Sequence, residues 1–226
     1  MVIISTAAAV YLVLLARLLQ IAGSPRRFHR YTAAKTVTSI GFLVVALLAQ
    51  LIGRGGMGGH FWILFGAMLL CAAGDFLLGL ANNGHGIHSR TFLRGLLCFG
   101  AAHVVFCIFY AVKTPPAWHD LFLPTALLLV TMLLSHRGLL RLRKLRIPAF
   151  CYSFLVGLMC SMAISAVFPA RGTAQLFCAV GSILFLISDC IIVFLYFYIR
   201  QRSWMRIANL TTYYLGLLFL ALSAAY

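Results

Sequence analysis

Apolar segments long enough to cross a lipid bilayer follow one another along almost the whole chain, separated by short polar connections. A helix rises about 1.5 Å per residue, so about 20 residues cross about 30 Å of hydrocarbon. The chain is 63% hydrophobic and 9% charged, and a water-soluble domain of its size could not cover its surface with so few polar groups. We therefore predict an all-α, polytopic integral membrane bundle that forms a single transmembrane domain over residues 1–226.

The hydropathy pattern predicts eight transmembrane helices, the first of which we interpret as a retained helix because it lacks a basic start and a small-residue cleavage site. A weak similarity between Gly74-Asp75 in the third span and Ser188-Asp189 in the seventh suggests a four-plus-four repeat. The predicted spans are roughly 2–22, 31–53, 61–81, 92–112, 117–135, 147–168, 173–199 and 207–226.

Basic residues are concentrated in every second loop. The loops after spans two, four and six contain only Arg54, Lys113 and Arg171. Because basic loops stay in the cytoplasm, this alternation predicts that both termini are extracytoplasmic, in a protein of the cell (inner) membrane. The loops after spans one, three, five and seven contain Arg26, Arg27, Arg30, Arg90, Arg137, Arg141, Arg143, Lys144, Arg146, Arg200, Arg202 and Arg206.

The formal charge of +15 does not indicate nucleic-acid binding. The basic residues lie in short loops beside apolar spans, and they do not form an amphipathic face with interleaved aromatic residues. Membrane orientation explains the charge better, so we expect the lipid bilayer as a partner and no nucleic acid.

Two of the three acidic residues, Asp75 and Asp189, fall inside predicted spans. An ionised carboxylate in a bilayer costs several kcal/mol unless it is paired, hydrated or protonated, so such residues face the bundle interior or a wet cavity. With the predicted orientation, Asp75 lies about 9 Å and Asp189 about 15 Å from the cytoplasmic end of its span. Both carboxylates are therefore expected in the inner half of the bundle. Asp120 lies near an outer loop, where we expect it to be solvated.

Three further polar residues are expected at a similar depth. The predicted orientation places Lys35 and Tyr213 in the inner half and His103 nearer the midplane, so these groups can converge with the aspartates on one cavity open to the cytoplasm. Each has a plainer alternative: Lys35 can snorkel to the interface, His103 can be a structural hydrogen-bonding residue, and Tyr213 with Tyr214 can form an interfacial aromatic pair. The aspartates themselves could serve only to bind helices together.

The residue types limit the chemistry that such a cavity could perform. A catalytic zinc site needs about three protein ligands, and His103 is the only deep histidine, so no metal or other cofactor is expected. Ser188 lacks the Gly-x-Ser-x-Gly turn of a serine nucleophile, and the cysteines have no ligand or catalytic spacing. Acid–base catalysis by the carboxylates remains, with one aspartate holding a proton while the other is ionised.

At these residues the chain resembles the YhhN/lysoplasmalogenase family of multi-pass membrane proteins. The combination of Gly-Asp, Ala-His, Ser-Asp and Thr-Tyr-Tyr in this order is more specific than any one motif. The segments that carry the resemblance are Ala72-Ala73-Gly74-Asp75-Phe76-Leu77-Leu78, Phe92-Leu93-Arg94-Gly95 with Phe99 and Ala102-His103, Gly181-Ser182-Ile183-Leu184-Phe185-Leu186-Ile187-Ser188-Asp189, Thr212-Tyr213-Tyr214, and Lys35.

The resemblance implies a hydrolase that cleaves the vinyl-ether bond of lysoplasmalogens to a fatty aldehyde and a glycerophospho-ethanolamine or -choline. It implies that Asp75 and Asp189 are catalytic. It also implies that a lysophospholipid substrate meets Lys35 or Arg17 through its phosphate.

In the same interpretation, His103, Tyr213 and Tyr214 belong to the substrate-binding site. The chain departs from the family at Thr36, and also at Leu195 and Leu217, where polar groups are lost; these two changes put the head group and activity in question. The principal alternative is a proton-coupled transporter that uses the same aspartates.

Overall fold

The computed structural model describes residues 2–53, 58–86, 89–198 and 204–226. Arg54 of the glycine-rich turn and Arg200 and Arg202 of the last basic loop lie outside the described residues. Within those ranges the chain is all-helical, and its β-type pairing is limited to an isolated antiparallel bridge between Leu140 and Tyr198. The predicted fold class is therefore confirmed.

Nine α-helices are described, and with the turns that adjoin them they form eight helical segments long and apolar enough to cross a membrane. They are α1 (Val2–Ala22), α2 (Tyr31–Ile52), α3 (His60–Leu80), α4 (Arg90–Lys113), α5 (Phe122–His136), α6 (Arg146–Ser165), the single turn α7 (Val167–Ala170), α8 (Thr173–Phe197) and α9 (Trp204–Leu222). Short 3-10 turns cover Pro25–Arg30, Trp118–Leu121, Arg143–Leu145 and Ser223–Ala225, and a π-helical turn, Ala81–His85, continues α3.

Helices satisfy every interior backbone group within one segment, which is why long apolar segments fold this way in lipid. The predicted spans differ from the observed helices by a few residues, mostly at prolines. The fifth span begins as a 3-10 turn and becomes α-helical at Phe122, with Pro124 in the first turn, where its missing N–H costs nothing. The sixth span breaks at Ala166 because Pro169 cannot bond back to Ser165.

Contacts between sequence neighbours dominate the packing. The pairs α3–α4 and α8–α9 contact each other most extensively, and α2 also contacts α3 and α9, while α6 contacts α4 and α8. One close approach joins α8 and α9, where a Cβ added at Gly181 would lie 2.8 Å from the Gly216 carbonyl oxygen. Small residues at such crossings let backbones approach in the membrane. The helix α5 is peripheral and packs mainly on α6.

All three carboxylate side chains of the protein are buried. This corrects the expectation that Asp120 is solvated, because that residue is only 2% exposed. Its carboxylate accepts hydrogen bonds from the Ala117 backbone N–H at 2.8 Å and from the Ser165 hydroxyl at 2.5 Å. Asp120 thus closes the first turn before α5 and joins it to the end of α6.

The orientation in the membrane stays a prediction, since it rests on loop charge alone. We expect both termini outside the cytoplasm, and a reporter fused after Tyr226 measures this directly. A reporter that functions only in an extracytoplasmic compartment should be active there, and a reporter that requires the cytoplasm should be silent. Activity of the reporter that requires the cytoplasm would show that the predicted orientation is wrong.

Candidate functional site

An apolar cavity lies at the end of the bundle that carries the loops between α1 and α2, α3 and α4, α5 and α6, and α8 and α9; we call this end the basic end. Its volume is about 1190 Å³, including its open mouth. Both Asp75 and Asp189 line it, together with Lys35 and Tyr213. Four of the five groups expected to converge on one cavity therefore line it, whereas His103 does not, and that this end faces the cytoplasm stays a prediction.

Asp75 forms the first polar cluster of this cavity and is completely buried. Its Oδ1 lies 3.0 Å from the ammonium of Lys35. Its Oδ2 accepts hydrogen bonds from three hydroxyls: that of Ser39 at 2.6 Å, that of Tyr213 at 2.8 Å and that of Tyr214 at 3.3 Å. One cation and three hydroxyl donors thus meet this carboxylate.

The positions of these partners follow from helical spacing and close packing. Lys35 and Ser39 are four residues apart on α2, so both face α3. A Cβ added at Gly74 would lie 2.6 Å from the Phe99 ring, so only glycine allows α4 to pack against α3 beside Asp75. This packing excludes water from the carboxylate and leaves the side chains to satisfy it.

Asp189 forms the second polar cluster, on α8. Its Oδ2 accepts a hydrogen bond from the Tyr152 hydroxyl at 3.0 Å and lies 3.2 Å from Nε2 of His103. Asp189 is 6% exposed and lines the cavity. Among the described residues both polar contacts reach Oδ2, so Oδ1 is left for a bound molecule.

The imidazole of His103 is oriented by its own helix. Its Nδ1 lies 2.6 Å from the carbonyl oxygen of Phe99, and since a carbonyl can only accept, Nδ1 carries a proton. Its Nε2 then meets Asp189 either as a base or as the second N–H of an imidazolium. The rings of Tyr152 and Phe185 pack edge-on against it, with centroids 5.0 and 5.1 Å away. His103 is therefore held by its own helix and by aromatic rings at 3.2 Å from Asp189.

An aromatic ring stands between the two clusters. Phe185 is completely buried and packs against His103 on one side and against Tyr213, at 5.2 Å between ring centroids, on the other. The hydrogen bonds of the described residues join each aspartate to its own partners and do not join the carboxylates to each other. Direct proton exchange between Asp75 and Asp189 stays a prediction.

The structure brings Lys35, Tyr213 and Tyr214 to Asp75, and it brings His103 to Asp189. Lys35 is 5% exposed and ion-paired, so it does not snorkel to the interface. Tyr213 and Tyr214 are buried with their hydroxyls on Asp75, so they are not an interfacial pair. Arg17, in contrast, lies exposed on α1 and does not line the cavity.

Sequence reasoning missed Ser39 and Tyr152, which each donate a hydrogen bond to an aspartate. It also missed Asn209, whose amide donates to the carbonyl and the hydroxyl of Ser188 at 2.8 Å and so fixes α9 beside Asp189. Isolated polar residues in apolar spans were the available signal. The polar positions lost at Leu195 and Leu217 do not line the cavity.

Within the part of the chain that the structure describes, no group of three His, Cys, Asp or Glu side chains could hold a metal ion. The polar groups that line the cavity are two carboxylates, several hydroxyls, one ammonium, the Asn209 amide and the Cys190 thiol, and the imidazole of His103 contacts Asp189 from outside this lining. This set can exchange protons and stabilise charge.

Comparison with known proteins gives one family. The model of the YhhN family matches residues 30–224, which is nearly the whole chain and includes every residue of both clusters. No curated protein and no solved structure matches significantly.

Proposed function

Because the chain belongs to the YhhN family over residues 30–224, we propose that it is a lysoplasmalogenase-like hydrolase of the membrane. The substrate would be a lysoplasmalogen, and the products a fatty aldehyde and a glycerophospho-ethanolamine or -choline. One observation carries the proposal: an apolar cavity that ends at a carboxyl group with one oxygen free, that of Asp189. A lipid with a proton-accepting double bond at the start of its chain suits such a cavity.

In this proposal Asp189 is the general acid. A vinyl ether is cleaved when a proton is added to the vinyl carbon farther from the ether oxygen, which leaves an oxocarbenium ion. The proton would come from Oδ1 of Asp189, and the carboxylate that remains would be stabilised by the Tyr152 hydroxyl on Oδ2, with His103 positioning the carboxyl group. Water then adds to the cation and returns a proton to Asp189. The resulting hemiacetal collapses to the aldehyde and the free glycerol hydroxyl.

Asp75 would act differently, since it is enclosed and paired. Its negative charge would stabilise the oxocarbenium ion in the same low-dielectric cavity. Lys35 offsets part of that charge, but it also lines the cavity, where its ammonium is available to an oxygen of the glycerophosphate. In this proposal the two clusters therefore supply a general acid, Asp189, and a fixed negative charge, Asp75.

The decisive experiment uses three matched lysolipids that differ only at the first bond of the chain: a vinyl ether, the saturated alkyl ether and the acyl ester. We expect detergent-purified protein to release free aldehyde from the vinyl ether alone. The saturated ether has no double bond to protonate, so it should stay intact. Hydrolysis of the ester instead would make the protein a lysophospholipase, and no turnover of any of the three would contradict the proposal.

A proton-coupled transporter is the second candidate, and a second cavity favours it. This cavity, of about 820 Å³, lies at the opposite end of the bundle and is lined by His60, Lys113 and Gln175. A transported solute would have to pass the fully buried rings of Phe106 and Phe185 between the two ends. Aldehyde release that depends on substrate separates the enzyme from the transporter.

A further inference from the structure

We propose that the site cavity opens sideways between α5 and α8, and that this lateral opening receives the hydrocarbon chain of a single-chain amphiphile directly from the bilayer. The choice of an occupant with one hydrocarbon chain rests on the proposed function. The lateral opening is lined by Leu127, Val130, Thr131 and Leu134 on α5 and by Leu186, Cys190, Val193 and Phe194 on α8.

Val130 shows where the cavity reaches the protein surface. It lines the cavity, yet it is 52% exposed. It lies within the span Trp118–His136, about 9 Å from the basic end at about 1.5 Å per residue. A residue that is both cavity wall and exposed surface at this depth places the opening in the hydrocarbon region of the membrane.

The two walls of the lateral opening are apolar along their length. Leu127, Val130, Thr131 and Leu134 have the spacing of one helical face. The hydroxyl of Thr131 donates to the Leu127 carbonyl oxygen at 2.8 Å, so it needs no further partner. Water would find no hydrogen-bond partner between such walls, so in a bilayer the gap is filled by hydrocarbon.

The helix α5 is held at both of its ends, and the lateral opening lies between these two fixed points. At the end away from the basic loops, Asp120 binds Ser165, and a Cβ added at Gly157 would lie 2.7 Å from the Cα of Pro124. At the basic end, the backbone N–H of Arg141 donates to the Phe197 carbonyl oxygen at 2.8 Å. Between these fixed points α5 packs mainly on α6.

The opening leads to the reactive carboxyl group. Cys190, which lines the opening, directly follows Asp189 on α8, and Lys35 and Tyr196 line the same cavity. An occupant would therefore meet apolar walls at the membrane side and polar groups at the inner side. That combination fits an amphiphile whose chain remains partly in the bilayer while its polar end reaches the clusters.

A photoreactive lipid tests the route. The probe is a lysophosphatidylcholine with a diazirine in the middle of its chain, applied to the wild-type protein in nanodiscs, with labelled peptides identified by mass spectrometry. We expect the label on the α5 and α8 residues of the lateral opening. Label concentrated in the apolar groove between α1 and α2, which includes Val10 and Val44, would overturn the proposal.

A matched pair of variants sharpens the test. Val130→Trp fills the opening, whereas Leu129→Trp adds the same ring one residue away, at a position that is 60% exposed and does not line the cavity. We expect labelling of α8 to fall about tenfold or more in Val130→Trp, since displacing about two methylene groups already costs that much affinity, and to stay unchanged in Leu129→Trp. Equal labelling in the two variants would overturn the proposal.

These outcomes are separable from those of the proposed function. If the wild-type protein cleaves no vinyl ether, the hydrolase proposal fails, while the position of the label still decides whether the lateral opening takes a chain. If it does cleave, Val130→Trp should lose activity on a long-chain substrate and keep it on a short-chain, water-soluble vinyl ether. Equal loss on both substrates would contradict entry of the chain between α5 and α8.

Discussion

Replacing Asp189 by asparagine should lower turnover by about 10²–10⁴-fold and leave the protein folded. The amide keeps the shape and can still accept the Tyr152 hydroxyl, but it cannot deliver a proton. The measurement is aldehyde release from a vinyl-ether lysolipid, with thermal stability recorded on the same preparation. Lipid labelling should survive, because the change affects catalysis more than binding.

The chain offers its own control for this variant. Asp120 is the third buried carboxylate, but it contacts Ala117 and Ser165 and does not line the site cavity. Asp120→Asn should therefore keep nearly normal turnover. His103→Gln should reduce turnover less than Asp189→Asn if His103 only orients the acid. Near-normal turnover in a stable Asp189→Asn protein would return this aspartate to a purely structural role.

The second large effect concerns stability. Asp75→Asn leaves the buried ammonium of Lys35 without its counter-charge, and breaking a buried ion pair from one side costs about 3–5 kcal/mol. We expect a marked loss of thermal stability and the loss of turnover. Lys35→Met should be milder, because Asp75 keeps three hydroxyl donors and can also take up a proton.

The double variant Lys35→Met with Asp75→Asn separates the two contributions. It removes both charges, so it should recover part of the stability that Asp75→Asn loses, and the recovered amount measures the coupling. Its turnover should remain lost if the charge of Asp75 stabilises the cation. A double variant that regains turnover along with stability would show that Asp75 serves only to hold the helices together.

The sequence predicts the eight spans well because crossing a bilayer depends on length and apolar content, which can be counted along the chain. It also predicts that Asp75 and Asp189 lie toward the same end of the bundle, since position along a helix follows from the rise per residue; which side of the membrane this end faces stays a prediction. Two boundaries shift at Pro124 and Pro169, where a single ring changes the local helix geometry.

What the sequence cannot provide is which helices are neighbours and how each is rotated. Tyr152 lies on α6, and nothing local to it shows that α6 lies beside α4 and α8 and so reaches Asp189. The sequence does not predict the burial of Asp120 for the same reason, because its partner Ser165 is 45 residues away in the chain. The partition of the aspartates between two clusters depends on Phe185, whose buried position is likewise a tertiary property.

The burial of all three carboxylate side chains has a practical consequence. The exterior presents no acidic side chain, so a carboxyl-directed reagent such as an apolar carbodiimide has no surface side chain to modify. Of the three, Asp75 and Asp120 have both oxygens engaged, whereas Asp189 keeps one oxygen toward the cavity. The extent to which the reagent modifies Asp189 would therefore report whether this cavity is empty or occupied, with only the terminal carboxylate as background.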